Sequence, residues 1–248
     1  MTSQLLAPNI DIRRSDTRAR TELGWLDARH SFNFNWHNKP GNSNFGLLIV
    51  NNHDLIQPAT GFETHPHQDM EIVTWILQGG VEHKDSEGHS GMIVPGEAQR
   101  MSAGRGIWHS EMNGSPETPL RLVQMWVVPD ETKLAPSYEQ SDITRELKAG
   151  ELVAVASGKG LAGAVKIHQK HATLWAARLA PGQSVQLPSA PWVHLFVPQG
   201  AVSVEGVGEV ADGDAVRFTA SADGRRITGV RDAEVLIWEM DRTVEWRR

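Results

Sequence analysis

The chain has 248 residues and no cysteine. Disulfides, thiolate metal sites, iron–sulfur clusters and cysteine nucleophiles are therefore excluded, and any metal site must use histidine, carboxylate, carbonyl or water. There is no apolar run of the roughly 18 residues that a membrane helix needs. The opening stretch, MTSQLLAPNIDIRRSDTRAR, lacks the basic-then-apolar order of a secretory signal, and its two aspartates argue against a transit peptide. A cytoplasmic protein with no membrane attachment is expected. Clustered cations are also missing. The net charge is −6, and the longest basic runs are pairs such as Arg13–Arg14 and Arg225–Arg226. A nucleic-acid surface needs many cations on one face, so direct nucleic-acid binding is not expected. The phosphate-loop frame and the G-x-S-x-G elbow are absent too.

What is present reads as β almost throughout. His30–Trp36 alternates with period two, which would place Phe32, Phe34 and Trp36 on one face of a strand. Further strands are expected at 45–51, 71–77, 120–128, 152–156, 173–179, 193–197 and 235–240. Turn clusters separate them, at Lys39–Gly41, Asp85–Gly88 and Asp223–Gly224. Many short strands with Gly and Pro turns suggest a sandwich or barrel. The only helix-like stretch is Tyr138–Lys148, inside a candidate linker region from Pro129 to Gly150.

A faint repeat divides the chain. Pro95–Ala103 (PGEAQRMSA) matches Asp212–Ala220 (DGDAVRFTA) in register, and upstream Gln78–Gly79 echoes Gln199–Gly200. Two matches in the same order suggest two related β domains.

The chemistry gathers in the first copy. His65-Pro-His67 places two imidazoles on the same side of a strand. Pro66 cannot donate to a ladder, so that strand is expected to start there or to lie at an edge. His109-Ser-Glu111 repeats the spacing with an imidazole and a carboxylate. If the two strands are neighbours in a barrel, four ligands converge on its interior. Neutral imidazoles and a carboxylate suit a borderline divalent metal such as iron, nickel, manganese, copper or zinc. Four protein ligands leave positions of an octahedron open for chemistry.

The segments GFETHPHQDME (residues 61–71) and MSAGRGIWHSE (residues 101–111) resemble the pirin family of the cupin superfamily. Leu23–Asp27, His30–Phe32, Gln78–Gly79, Glu82–Ser86 and Pro136–Gln140 are similar to its bacterial members, some of which are quercetinases. The resemblance is distinctive from about Leu23 to Gln140 and looser beyond. It implies an all-β bicupin: two face-to-face antiparallel β-barrels of jelly-roll type joined by a short linker. The boundaries expected are residues 1–136 for a metal-binding cupin, 137–150 for the linker and 151–248 for a cupin without ligands. It also implies His65, His67, His109 and Glu111 as ligands of one divalent metal per chain, iron(II) first. Glu71 stands where cupins usually carry their ligand glutamate and is read as an outer partner or barrel residue. Carried through the repeat, His65 and His67 fall on Gln186 and Pro188, and His109 and Glu111 on Arg226 and Thr228. The second copy thus lacks the whole ligand set.

The resulting expectation is a metal-dependent dioxygenase that cleaves a flavonol such as quercetin with dioxygen, Glu111 being the catalytic proton acceptor. The alternative is a metal- or redox-responsive regulator that binds a protein partner, a transcription factor or a metabolic enzyme. His83 and His89 flank a charged turn and are expected to face solvent, while Trp75 and Trp108 are candidate pocket walls. His30, His37, His53, His168, His171 and His194 are read as structural.

Overall fold

The computed structural model describes residues 7–148 and 150–245. The leading residues read above for a targeting signal lie in part outside them, as does Ala149 of the expected linker. Strands β1 (Asn9–Arg13), β2 (Ala19–Leu23), β3 (Leu26–His30), β4 (Leu48–Ile56), β5 (Gly61–His67), β6 (Glu71–Gln78), β7 (Val81–Asp85), β8 (Ser90–Ile93), β9 (Glu97–Ser102), β10 (Ile107–Asn113), β11 (Leu120–Val127) and β12 (Ser137–Asp142) fill the first half. All but β1 form its two antiparallel sheets, one ordered β12-β9-β6-β11-β4-β3-β2 and one ordered β5-β10-β7-β8. The second half holds β13 (Val153–Ser157), β14 (Val165–Lys166), β15 (Ala172–Leu179), β16 (Ser184–Gln186), β17 (Trp192–Val204), β18 (Gly208–Ala211), β19 (Ala215–Thr219) and β20 (Arg226–Met240). These make one nine-stranded sheet with β1 at its edge. The all-β bicupin expectation holds. Among the described residues, no helix is long and apolar enough to cross a membrane.

Three local expectations are corrected. Residues 30–36 do not continue as a strand, and β3 ends at His30. The Asn33 amide donates to the Lys39 carbonyl and its oxygen accepts from the Lys39 N–H, so side-chain bonds replace the ladder. Asn35 then takes a positive φ of 49°. The three aromatics part company: Phe32 is buried, Phe34 is half-buried and Trp36 is 67% exposed. The 138–148 stretch is helical only over Thr144–Leu147. Residues 137–142 are strand β12, paired with β9 from Ser137↔Ser102 to Asp142↔Glu97, so much of the expected linker belongs to the first sheet. Conversely, β1 pairs with β19, which carries the start of the chain into the second half.

The two halves share a core. Phe32, Leu47, Val73, Trp75, Val123 and Met125 from the first pack with Val155, Leu174, Phe196, Leu236 and Trp238 from the second. Burial of such large side chains, at roughly 1.5–3 kcal/mol each, is what seals one sheet against the other. The opposite face of β6, β11 and β4 turns into the first barrel. There the apolar lining breaks into two clusters, one around Ile56, Ile76 and Leu122, the other around Ile72, Met101 and Ile107. Between them runs a row of polar side chains. Register places Gln99 beside Thr74, Thr74 beside Gln124, Gln124 beside Asn52 and Asn52 beside His30.

Candidate metal centre

β5 lies at the edge of the four-stranded sheet, as Pro66 requires, and pairs antiparallel with β10. The register sets His109 directly opposite His65 and Ile107 opposite His67. The two period-two motifs therefore meet on one ladder. The three imidazoles have ring centroids 4.5, 4.9 and 5.0 Å apart, and one ligand nitrogen from each lies within 4.8 Å of the others. The His65 Nδ1–H donates to the Glu63 carbonyl at 2.7 Å, which leaves its Nε2 free.

His109 is 2% exposed, and neither of its ring nitrogens has a hydrogen-bond partner. Leaving both unpaired is costly, and a metal ion on the lone pair would remove the part of that cost that belongs to one nitrogen. Burial, with His65 and His83 close by, pushes the His109 imidazole down to about 3. Burial, with His109 and His65 beside it, pushes His67 down to about 4. Both are neutral at physiological pH, the form that binds metal. Donor type, geometry and unpaired nitrogens all fit a divalent transition metal held by His65, His67 and His109.

Glu111 stands slightly apart from that group. A bulge shifts the register between His109 and Glu111, so Glu111 faces Phe62. Its two oxygens accept hydrogen bonds from the Gln124 amide at 2.6 Å and the Thr74 hydroxyl at 3.3 Å. Both donors belong to the polar row. Gly61, at the start of β5, allows the close approach: a Cβ there would meet the Glu111 carbonyl oxygen at 2.3 Å.

His65, His67 and Glu111 open into a cavity of about 270 Å³. Phe34, Phe62 and Trp126 give it an aromatic lining, with Trp126 edge-on to His67 at 4.8 Å between centroids. On the far side, His30 joins the Asn52 amide oxygen at 2.9 Å and the Thr21 hydroxyl at 2.8 Å.

Several residues sit elsewhere than expected. His83 does not face solvent: it is fully buried, bonded to Asp85 at 3.1 Å, with its ring 5.4 Å from that of His109. The side chain of His89 is 40% exposed, yet it also reaches Asp85. Trp75 points away from the cavity, into the shared core, where its indole N–H donates to Glu234. Trp108 is 54% exposed. Trp126, not singled out from sequence, is the tryptophan of the cavity. Glu71 lies on the other face of β6, accepting from the Ser102 hydroxyl at 2.8 Å and the His168 N–H at 3.0 Å. It joins the two halves and is remote in role from the imidazoles. Thr74 and Gln124 were missed, although an uncharged polar residue in the middle of EIVTWILQ and of LRLVQMWV is a visible signal.

In the second half, Gln186 pairs with Arg226, the same relationship that His65 has to His109. Arg226 is exposed and cannot bind a metal.

The Pirin family profile matches residues 13–127, and a profile described as the quercetinase C-terminal cupin domain matches 154–240. A relative from Mycobacterium tuberculosis, provisionally named a quercetin 2,3-dioxygenase, is 54% identical over 95% of this chain and 96% of its own. The quercetin 2,3-dioxygenase of Escherichia coli K12 is 37% identical over 93% of this chain and 98% of its own. The crystal structure of the bacterial pirin YhhW from Escherichia coli, in complex with nickel(II), superposes with a TM-score of 0.85. It is 34% identical and covers 95% of this chain and 100% of that one.

Proposed function

The chain belongs to the pirin family, and we propose that it is a metal-dependent dioxygenase that opens a flavonol such as quercetin. The observation that carries this reading is the trio of closely set imidazoles, two of which, His65 and His67, line a cavity with aromatic walls. The names of the relatives support the same chemistry, and the nickel complex of the Escherichia coli pirin supports a divalent metal. Iron(II) and nickel(II) are the first metals to test, followed by manganese, copper and zinc. A cytoplasmic setting is part of the proposal.

A divalent metal held there would supply Lewis-acid activation of a substrate oxygen and a means of engaging dioxygen. The chain's own residues do the rest. His67 and His109 stay neutral and keep their lone pairs available, and His65 presents its Nε2 beside them. Phe34, Phe62 and Trp126 flank a planar substrate and exclude water from it. Glu111 takes the proton of the flavonol 3-hydroxyl, a carboxylate in the cavity wall being a competent general base. Gln124 and Thr74 aim that carboxylate by binding its two oxygens. Glu111 can also serve as a fourth ligand once a metal is present, and the two roles compete for the same oxygens.

The test is oxygen uptake by metal-loaded protein over a panel of flavonols and other enolisable phenols. Uptake with flavonols, dependent on added metal, is expected. Its absence with every metal and every compound would contradict the proposal.

A further inference from the structure

One carboxyl in the cavity wall has an oxygen without a hydrogen-bond partner among the described residues. Asp54 follows Asn52 by two residues on β4 and lines the same cavity. Asn52 belongs to the polar row, but Asp54 lies one row beyond it. There its neighbours in register are Ala28 on β3 and Leu122 on β11, with Ile76 next to Leu122. All three are at most 1% exposed. Asp54 itself is 3% exposed, and its Oδ1 has no hydrogen-bond partner. An unpaired polar group in an apolar row is destabilising, and folds retain such groups where a ligand completes them.

The charged groups around Asp54 are Arg18, Glu111 and Asp27. Arg18 is already committed to the carbonyls of Arg29, Asn51 and Gly213. Burial therefore dominates and pushes the Asp54 carboxyl up to about 8, with Arg18 opposing and Glu111 and Asp27 adding to the rise. At neutral pH it is mostly the neutral acid, with one donor and one acceptor.

We infer that Asp54 is a substrate anchor: its carboxyl hydrogen-bonds a phenolic hydroxyl or carbonyl of a polyphenol lying between Phe34, Phe62 and Trp126, and so fixes which edge of the molecule faces His65, His67 and Glu111. The inference rests on the polyphenol reading above. A site built around such a bond rejects analogues that lack the oxygen, because the carboxyl is then left unpaired.

The test is anaerobic binding of quercetin to the full-length protein, metal-loaded and metal-free, followed by tryptophan fluorescence and calorimetry. Without dioxygen there is no turnover. Asp54→Asn keeps a neutral donor and acceptor and is expected to bind within about threefold of wild type. Asp54→Leu loses both and is expected to bind about tenfold more weakly, the worth of one hydrogen bond. Asp54→Leu is expected to melt no lower than wild type, which separates an anchor from a structural residue. Wild-type binding matched by Asp54→Leu would overturn the anchor alone. So would weak binding by Asp54→Leu accompanied by a lower melting temperature. No binding by wild type in any metal form would overturn the flavonol reading, and the anchor with it.

Discussion

His65 and His109 face each other across the β5–β10 ladder, their ring centroids 4.5 Å apart. His67 completes the group from the same strand as His65. Replacing either facing residue with alanine removes one of three converging imidazoles. About one metal per chain is expected in wild type, and His65→Ala and His109→Ala are each expected to lose most of it. The loss should exceed the roughly 10–100-fold in affinity that an outer partner of a ligand contributes. Elemental analysis after desalting reads this directly, and full occupancy in both variants would contradict the ligand set.

Arg226 and Gln186 hold in the second half the relationship that His109 and His65 hold in the first. Arg226→Ala is expected to leave metal content unchanged. A loss of metal in this variant would make the second half part of the site.

Glu111 is held by Gln124 and Thr74. Glu111→Gln preserves shape and an oxygen but removes the basic carboxylate. A general base typically contributes about 10²–10⁴-fold to rate, so turnover per bound metal is expected to fall by that order. Equal rates per metal would leave Glu111 a plain ligand.

Asp54 also predicts a pH dependence of stability. Its folded value of about 8 lies above the ordinary aspartate value of 3.8, so the fold favours the protonated acid. The cost of burying it is smallest below about pH 4, grows as pH rises, and is greatest above 8. The melting temperature of Asp54→Leu relative to wild type is therefore expected to climb between about pH 4 and pH 8. A difference that stays flat across that range would show an ordinary, solvated carboxyl.

Glu234 links the halves. It is 1% exposed and accepts from the Trp75 indole and from Arg178 at 2.6 Å. Arg178 is partly solvated, so it can rehydrate when its partner is lost, while the buried indole cannot. Glu234→Ala is expected to cost about 2 kcal/mol in denaturant unfolding, with metal content intact.

Much of this was legible in the sequence because strand geometry is local. Period two puts His65 with His67 and His109 with Glu111 on common faces, and the repeat carries His65 and His109 onto Gln186 and Arg226, which pair with each other in the second half. What escaped was set by long-range register. The bulge in β5 that sets Phe62 opposite Glu111 exists only once β5 and β10 are aligned. His83 looked exposed because charged residues surround it, but Tyr138, more than fifty positions on, lies against its ring with centroids 4.8 Å apart. The aromatic alternation of Phe32, Phe34 and Trp36 mimicked a strand, and the amide of Asn33 overrode it. Thr74 and Gln124 were readable as polar breaks in apolar strands, yet their shared row with Asn52 needed the sheet order.

Whether these imidazoles carry flavonol cleavage is read most directly from the carbon monoxide released from quercetin in air by wild-type protein and by His109→Ala, each incubated with the same metal. Wild type is expected to release about one carbon monoxide for each dioxygen consumed, and the variant to release almost none. Wild type that loads metal but releases no carbon monoxide with iron, nickel, manganese or copper would contradict a flavonol dioxygenase. Equal release by the variant would place the chemistry away from these imidazoles.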